Sequence, residues 1–73
     1  MTLDELLPGQ AAQIVRVNGQ SPFRRRLLEL GVLPGTPIQR TGQAPLGDPL
    51  TFEVRGAVLG LRRTDAAMVE VLP

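Results

Sequence analysis

The side chains that could do chemistry in this 73-residue chain are arginines and carboxylates, eight of the first and seven of the second. The arginines gather in two places: Arg24, Arg25 and Arg26 stand together, and Arg62 and Arg63 form a doublet. There is no His, Cys, Lys, Tyr or Trp, and Ser21 is the only serine. General acid–base or covalent catalysis would fall to carboxylates, threonine or Ser21, with no imidazole or amine beside them. This inventory argues against an enzyme.

The triplet breaks a local rule. Arg24, Arg25 and Arg26 fall in the opening turns of a helix predicted from Ser21-Pro22, where the macrodipole is positive. Each cation there costs up to about 0.3–1 kcal/mol. The pair Arg25–Glu29 has the i, i+4 spacing in its less favourable order and offsets this only in part. Rules of this kind tend to be broken where a surface has work to do. The plainer reading is a solvated face whose arginine stems cover apolar surface, with Arg26 along the core edge.

The elements that must position these residues are legible in outline. Thr2-Leu3-Asp4-Glu5 fits a capping box, and Pro8-Gly9 ends the single turn it opens. Gln10 to Val17 reads as a strand, with a bulge or twist at Ile14-Val15 where the alternation slips. Ser21 suits an N-cap, Pro22 the first helical position and Gly31 the left-handed residue past the end. Phe23, Leu27 and Leu30 make a core-facing stripe, and Leu28 lies off it.

Beyond the helix, Pro34-Gly35 has type II turn composition, and Pro37 places the next strand at an edge or marks its start. Two prolines flank a loop at Leu46-Gly47-Asp48 and stiffen it. Leu50 to Arg55 alternates as a half-buried strand, Gly56 turns into another through Leu61, Thr64 to Ala67 makes a helical turn, and Met68 to Leu72 ends the chain. About five short strands with glycine corners and one helix predict a mainly β protein, a small antiparallel barrel in a single domain over residues 1–73.

Composition bounds the function further. A chain of this length buries only about 60% of its unfolded surface, and no disulfide is available as a staple. The net charge is +1, and the pI near 9.1 reflects one surplus arginine with nothing but the terminal amine titrating between. Phosphate binding needs a larger basic excess, and single-strand binding needs aromatic platforms, so no nucleic acid is expected. No apolar run approaches the ~20 residues of a membrane span, and the acidic N-terminus is unlike a secretory signal. The expectation is a cytoplasmic protein with no direct membrane insertion.

Three stretches carry a resemblance: Arg24 through Thr36 with its Leu-Gly-x-x-Pro-Gly core, the loop Ala44-Pro45-Leu46-Gly47-Asp48-Pro49-Leu50, and Arg55-Gly56 through Arg63. In this order they closely resemble the ferrous iron transport protein A family, FeoA. The resemblance implies an SH3-like barrel with one inserted helix. It also implies an accessory to a FeoB-like membrane ferrous-iron transporter, met on its cytosolic side, and the family is often credited with transition-metal binding. A related module ends some iron-dependent repressors, so a free-standing relative acting by protein contacts is the alternative. Pro37 departs from the family pattern and implies a shorter strand there.

The carboxylates Asp4, Glu5, Glu29, Asp48, Glu53, Asp65 and Glu70 suit hard divalent ions, whereas ferrous iron and zinc usually recruit imidazole or thiolate. Weak divalent binding is the expectation, with no cofactor and no ligand set assigned. The arginine doublet is read as a solvated strand end, with an arginine finger for a partner GTPase as the sharper alternative. A proline-peptide groove lacks the aromatic rings it needs. The partner face predicted from these residues joins Arg24, Arg25 and Leu28 on the helix to Leu46, Gly47 and Asp48 at the loop tip. The oligomeric state is left open.

Overall fold

In the computed structural model all 73 residues are described, the side chain of Ser21 excepted. Leu3–Glu5 forms a 3-10 turn. It is closed as the capping-box pattern predicts, the Thr2 N–H donating to Glu5 Oε1 at 2.7 Å. Five strands follow: β1 Ala11–Val17, β2 Pro37–Gln43, β3 Leu50–Val54, β4 Ala57–Leu61 and β5 Val69–Leu72. Helix α1, Ser21–Glu29, connects β1 to β2, and the short α2, Arg63–Ala66, connects β4 to β5. All strands join one antiparallel sheet in the order β4-β3-β2-β1-β5.

Two irregularities shape this sheet. The pairing of β1 with β5 slips between Ile14 and Arg16, leaving Val15 as a bulge residue. The slip changes the phase of the strand, so Ile14 and Val17, three residues apart, are both buried while Val15 and Arg16 face out. A second slip, between Arg40 and Gly42, bends β2 against β3. Pro37 opens β2, and β2 lies between β1 and β3 and runs for seven residues. The missing proline N–H therefore costs the ladder little at a strand start, and the strand is not shortened.

The two Leu-Pro-Gly sequences make the same turn. Gln10 N–H returns to the Leu7 carbonyl at 2.9 Å and Thr36 N–H to that of Leu33 at 3.0 Å. Gly9 and Gly35 sit at φ +87° and +86°, as the third residue of a type II turn requires.

Helix α1 starts with Gln20, not Ser21, in the capping position; the capping role read for the Ser21 side chain lies outside the described residues. Its end follows the sequence reading. Gly31 takes φ +96°, its N–H meets the Leu28 carbonyl at 3.1 Å, and the Val32 N–H meets that of Leu27 at 3.0 Å. Leu27 and Val32 are both buried, completing a Schellman motif with its apolar contact.

The core gathers Leu3, Leu6, Ile14, Leu27, Ile38, Phe52 and the β5 valines, with Phe23 packed against it. The predicted helix stripe is corrected at one end: Leu30 is 45% exposed. The reason is geometric. Helix α1 stands off the β4 end of the sheet and leaves a cleft of about 460 Å³, which Leu30 lines with Phe23, Leu27 and Leu61. Arg26, expected along the core edge, is exposed and lines the same cleft.

Candidate partner-binding surface

Exposed side chains with chemistry occupy α1 and the loop between β2 and β3. On α1, Arg24 and Arg25 are exposed and Leu28 is 36% exposed. Arg24 borders a depression with Arg16, Asn18 and Gly19, while Arg25 borders another with Pro22, Arg26 and Glu29. The arginines thus point to different sides of the helix. Among the described residues the one ion pair is Arg16–Glu70 at 3.5 Å, so Arg25 and Glu29 do not close the bridge their spacing permits.

The loop is held by contacts that the prolines do not supply. Arg63 Nε donates to the Gly47 carbonyl at 3.0 Å, and the Arg63 backbone N–H donates to Asp48 Oδ1 at 2.9 Å. Asp48 therefore caps α2 from across the chain, an acid where the helix dipole favours one. The turn between Ala44 and Gly47 closes at 2.8 Å, and Gly47, at φ +91°, redirects the chain beyond it. Its neighbour Leu46 is left 97% exposed. The arginine doublet is not simply solvated: Arg63 ties down this loop.

Beneath the loop lies a residue that sequence reasoning missed. Arg40, on β2, is only 5% exposed. Its Nη1 donates to the Leu6 carbonyl at 2.6 Å and its Nη2 to Gln43 Oε1, also at 2.6 Å. The guanidinium is satisfied by neutral oxygens, without a carboxylate. Gln43 Oε1 also accepts from Arg63 Nη2, at 3.4 Å, so the N-terminal turn, β2 and the loop share one network. The available signal was Ile38-x-Arg40, two inward positions of one strand.

The structure thus unites Gly47 and Asp48 with Arg63. No hydrogen bond or ion pair among the described residues joins Arg24, Arg25 or Leu28 to the loop. Among the described residues no three acidic side chains converge as a metal site would require. Of the carboxyls, Glu5 is held below its ordinary 4.5, chiefly by the Thr2 backbone N–H and then by the Thr2 hydroxyl. No helix among the described residues is long and apolar enough to cross a membrane.

Residues 1–73 match the model of the FeoA domain. The chain is 45% identical over 71 residues to a Fe(2+) transport protein A/Fe(2+) transporter FeoB fusion protein of Porphyromonas gingivalis, covering 97% of this chain and 8% of that protein. It thus spans a small fraction of that curated relative. The solution structure of FeoA from Chlorobium tepidum is similar to it at TM-score 0.93 and 36% identity, over 99% of this chain and 69% of that one. A zinc-complexed FeoA from Stenotrophomonas maltophilia, described as an SH3 domain protein, matches at TM-score 0.85 and 32% identity, over 97% and 88%. IdeR of T. acidophilum shares the fold alone, at TM-score 0.85 and 22% identity over 99% of this chain and 33% of that one.

Proposed function

The chain belongs to the FeoA family, and from that premise we propose that it is a non-enzymatic binding module that assists ferrous iron uptake by contacting a FeoB-like transporter. The observation that carries this reading is the relative in which a similar domain and a FeoB transporter share one polypeptide. Fusion keeps two modules at high effective concentration, which is useful when they work in contact. The contact face in this reading is α1 at Arg24, Arg25 and Leu28 together with the Leu46-Gly47-Asp48 tip.

Physical features support that face. Leu46 is an apolar side chain held almost wholly in solvent, on a loop already ordered by Arg63. An anchor pre-ordered in this way loses little freedom on binding. Arg25 supplies charge that speeds encounter. Iron is the transporter's cargo in this scheme and is not held by this chain.

Pull-down with a FeoB-like transporter tests the reading. Arg25→Glu should weaken capture with a salt-sensitive on-rate, and Leu28→Ala and Leu46→Ala should weaken it through the off-rate, with melting modestly lowered in Leu28→Ala and near-native in the other two. Capture unchanged in all three variants would remove this face from the interface. Anaerobic calorimetry with ferrous iron should show at most millimolar binding, and a stoichiometric micromolar site would overturn the separation of module from cargo.

A further inference from the structure

The two edges of the sheet are treated differently. The β5 edge is covered by the N-terminus: Thr2 bridges Glu70, and the Val71 N–H donates to the Met1 carbonyl at 2.8 Å. The β4 edge has no such cover among the described residues. Its register shows which groups are free. Val54 pairs with Ala57 across a two-residue turn, so Ala57, Leu59 and Leu61 make the ladder bonds. Val58 and Gly60 turn their N–H and C=O away from β3. Exposed edges are ordinarily blunted by charge, proline or a bulge. Ala57–Leu61 has none of these, and Val58 is 74% exposed.

The cleft left by α1 borders this bare edge. Gly60, Leu61 and Arg62 form one side, and Phe23, Arg26 and Leu30 of the helix form the other. A strand laid against Val58 and Gly60 would complete their hydrogen bonds. Its alternate side chains would enter the cleft between Leu61 and the helix, against Phe23, Leu27 and Leu30. The charges select the occupant: Arg26 and Arg62 have no ion-pair partner among the described residues, and Asp65 is the one carboxylate in the lining. A second copy fits poorly, because antiparallel pairing about Leu59 brings Arg55 of one chain to the Arg62–Arg63 end of the other. Like charges so apposed repel.

We propose that the α1–β4 cleft is a peptide groove, taking an extended apolar segment of a partner protein with acidic flanks as an added strand on β4. This deepens the binding-module reading and rests on it, but uses a surface other than Arg25, Leu28 and the loop tip. Strand addition of this kind draws affinity from main-chain hydrogen bonds and specificity from the pockets beside them.

The test titrates the isotope-labelled full chain with a capped peptide of alternating valine and threonine carrying an aspartate at each end. Amide signals of Val58 and Gly60 should shift, and their hydrogen exchange should slow by about tenfold or more. The same peptide N-methylated at alternate residues should bind about tenfold more weakly, having lost its donors. The pair Arg26→Glu and Arg62→Glu should weaken the acidic peptide and spare an uncharged-ended one. Gly60→Pro removes an outward N–H without touching the β3 ladder and should abolish binding; the N-methylated peptide keeps the test sound should that variant misfold. Absence of binding at millimolar peptide, equal binding of the N-methylated form, shifts confined to Arg25 and Leu28, or a β4-paired dimer of the free chain would each overturn the groove. Peptide binding lost while the transporter is still captured overturns the groove alone; peptide bound by a chain that captures no transporter overturns the transporter reading alone.

Discussion

The backbone N–H of Arg63 donates to the carboxylate of Asp48, 15 residues upstream, at 2.9 Å. One contact thereby caps α2 and fixes the base of the loop that presents Leu46. The proposed contact face and the stability of the fold meet in this pair.

Asp48→Ala should cost about 0.5–2 kcal/mol, the usual value of a lost cap, whereas Asp48→Asn keeps an acceptor and should recover most of it. Urea unfolding measures both. If Asp48→Asn also keeps transporter capture while Asp48→Ala loses it, Asp48 acts by holding the loop and not by its charge.

Arg40→Met fills the same space but leaves the Leu6 carbonyl without its donor and Gln43 Oε1 with only the longer bond from Arg63. A loss of about 1–3 kcal/mol is expected, which in a domain of this size lowers Tm by roughly 4–8 °C per kcal/mol. A calorimetric scan reads it directly, and an unchanged Tm would show that water replaces the guanidinium at no cost.

Gly19 is the glycine with the least room. A Cβ there would stand 3.0 Å from Phe23 Cδ2 and 3.2 Å from Met68 Cε, at φ +105°. Gly19→Ala should therefore destabilise by more than the roughly 1 kcal/mol of conformational strain alone. Gly9→Ala is the control, since its Cβ would meet nothing within 4 Å.

Glu5 gives a pH signature. Its carboxyl is held below the ordinary 4.5 by the Thr2 N–H and hydroxyl. A depressed folded pKa means the contribution is fully present above the ordinary value and is lost as pH falls through the folded one. Melting curves of the native chain and Glu5→Gln should differ near neutrality and converge below the ordinary carboxylate range. A constant difference across acid pH would remove Glu5 as the source.

Leu28→Ala should lower Tm only modestly, since the side chain is 36% exposed and outside the buried core, so truncation forfeits only part of what a fully buried leucine contributes. A large drop would place Leu28 among the structural residues.

Much of this fold can be read from the chain alone. The strands, the bulge at Val15, the twin Leu-Pro-Gly turns and the helix end at Gly31 follow from local chemistry: fixed proline φ, glycine at positive φ and periodicity of apolar residues. The inventory without imidazole or thiol is likewise a property of the sequence. Other features depend on what arrives from elsewhere in the chain. Leu30 shares its helical stripe with Leu27, yet only the standoff of α1 from β4 decides that one is exposed and the other buried. Arg40 is satisfied only because the Leu6 carbonyl and Gln43 converge on it, and Arg63 finds the loop only because β4 returns beside it. Local backbone preferences act within a few residues and so are written in the sequence. The burial of a charge, the covering of a sheet edge and the opening of a cleft arise from contacts across the chain, and only the folded structure decides them.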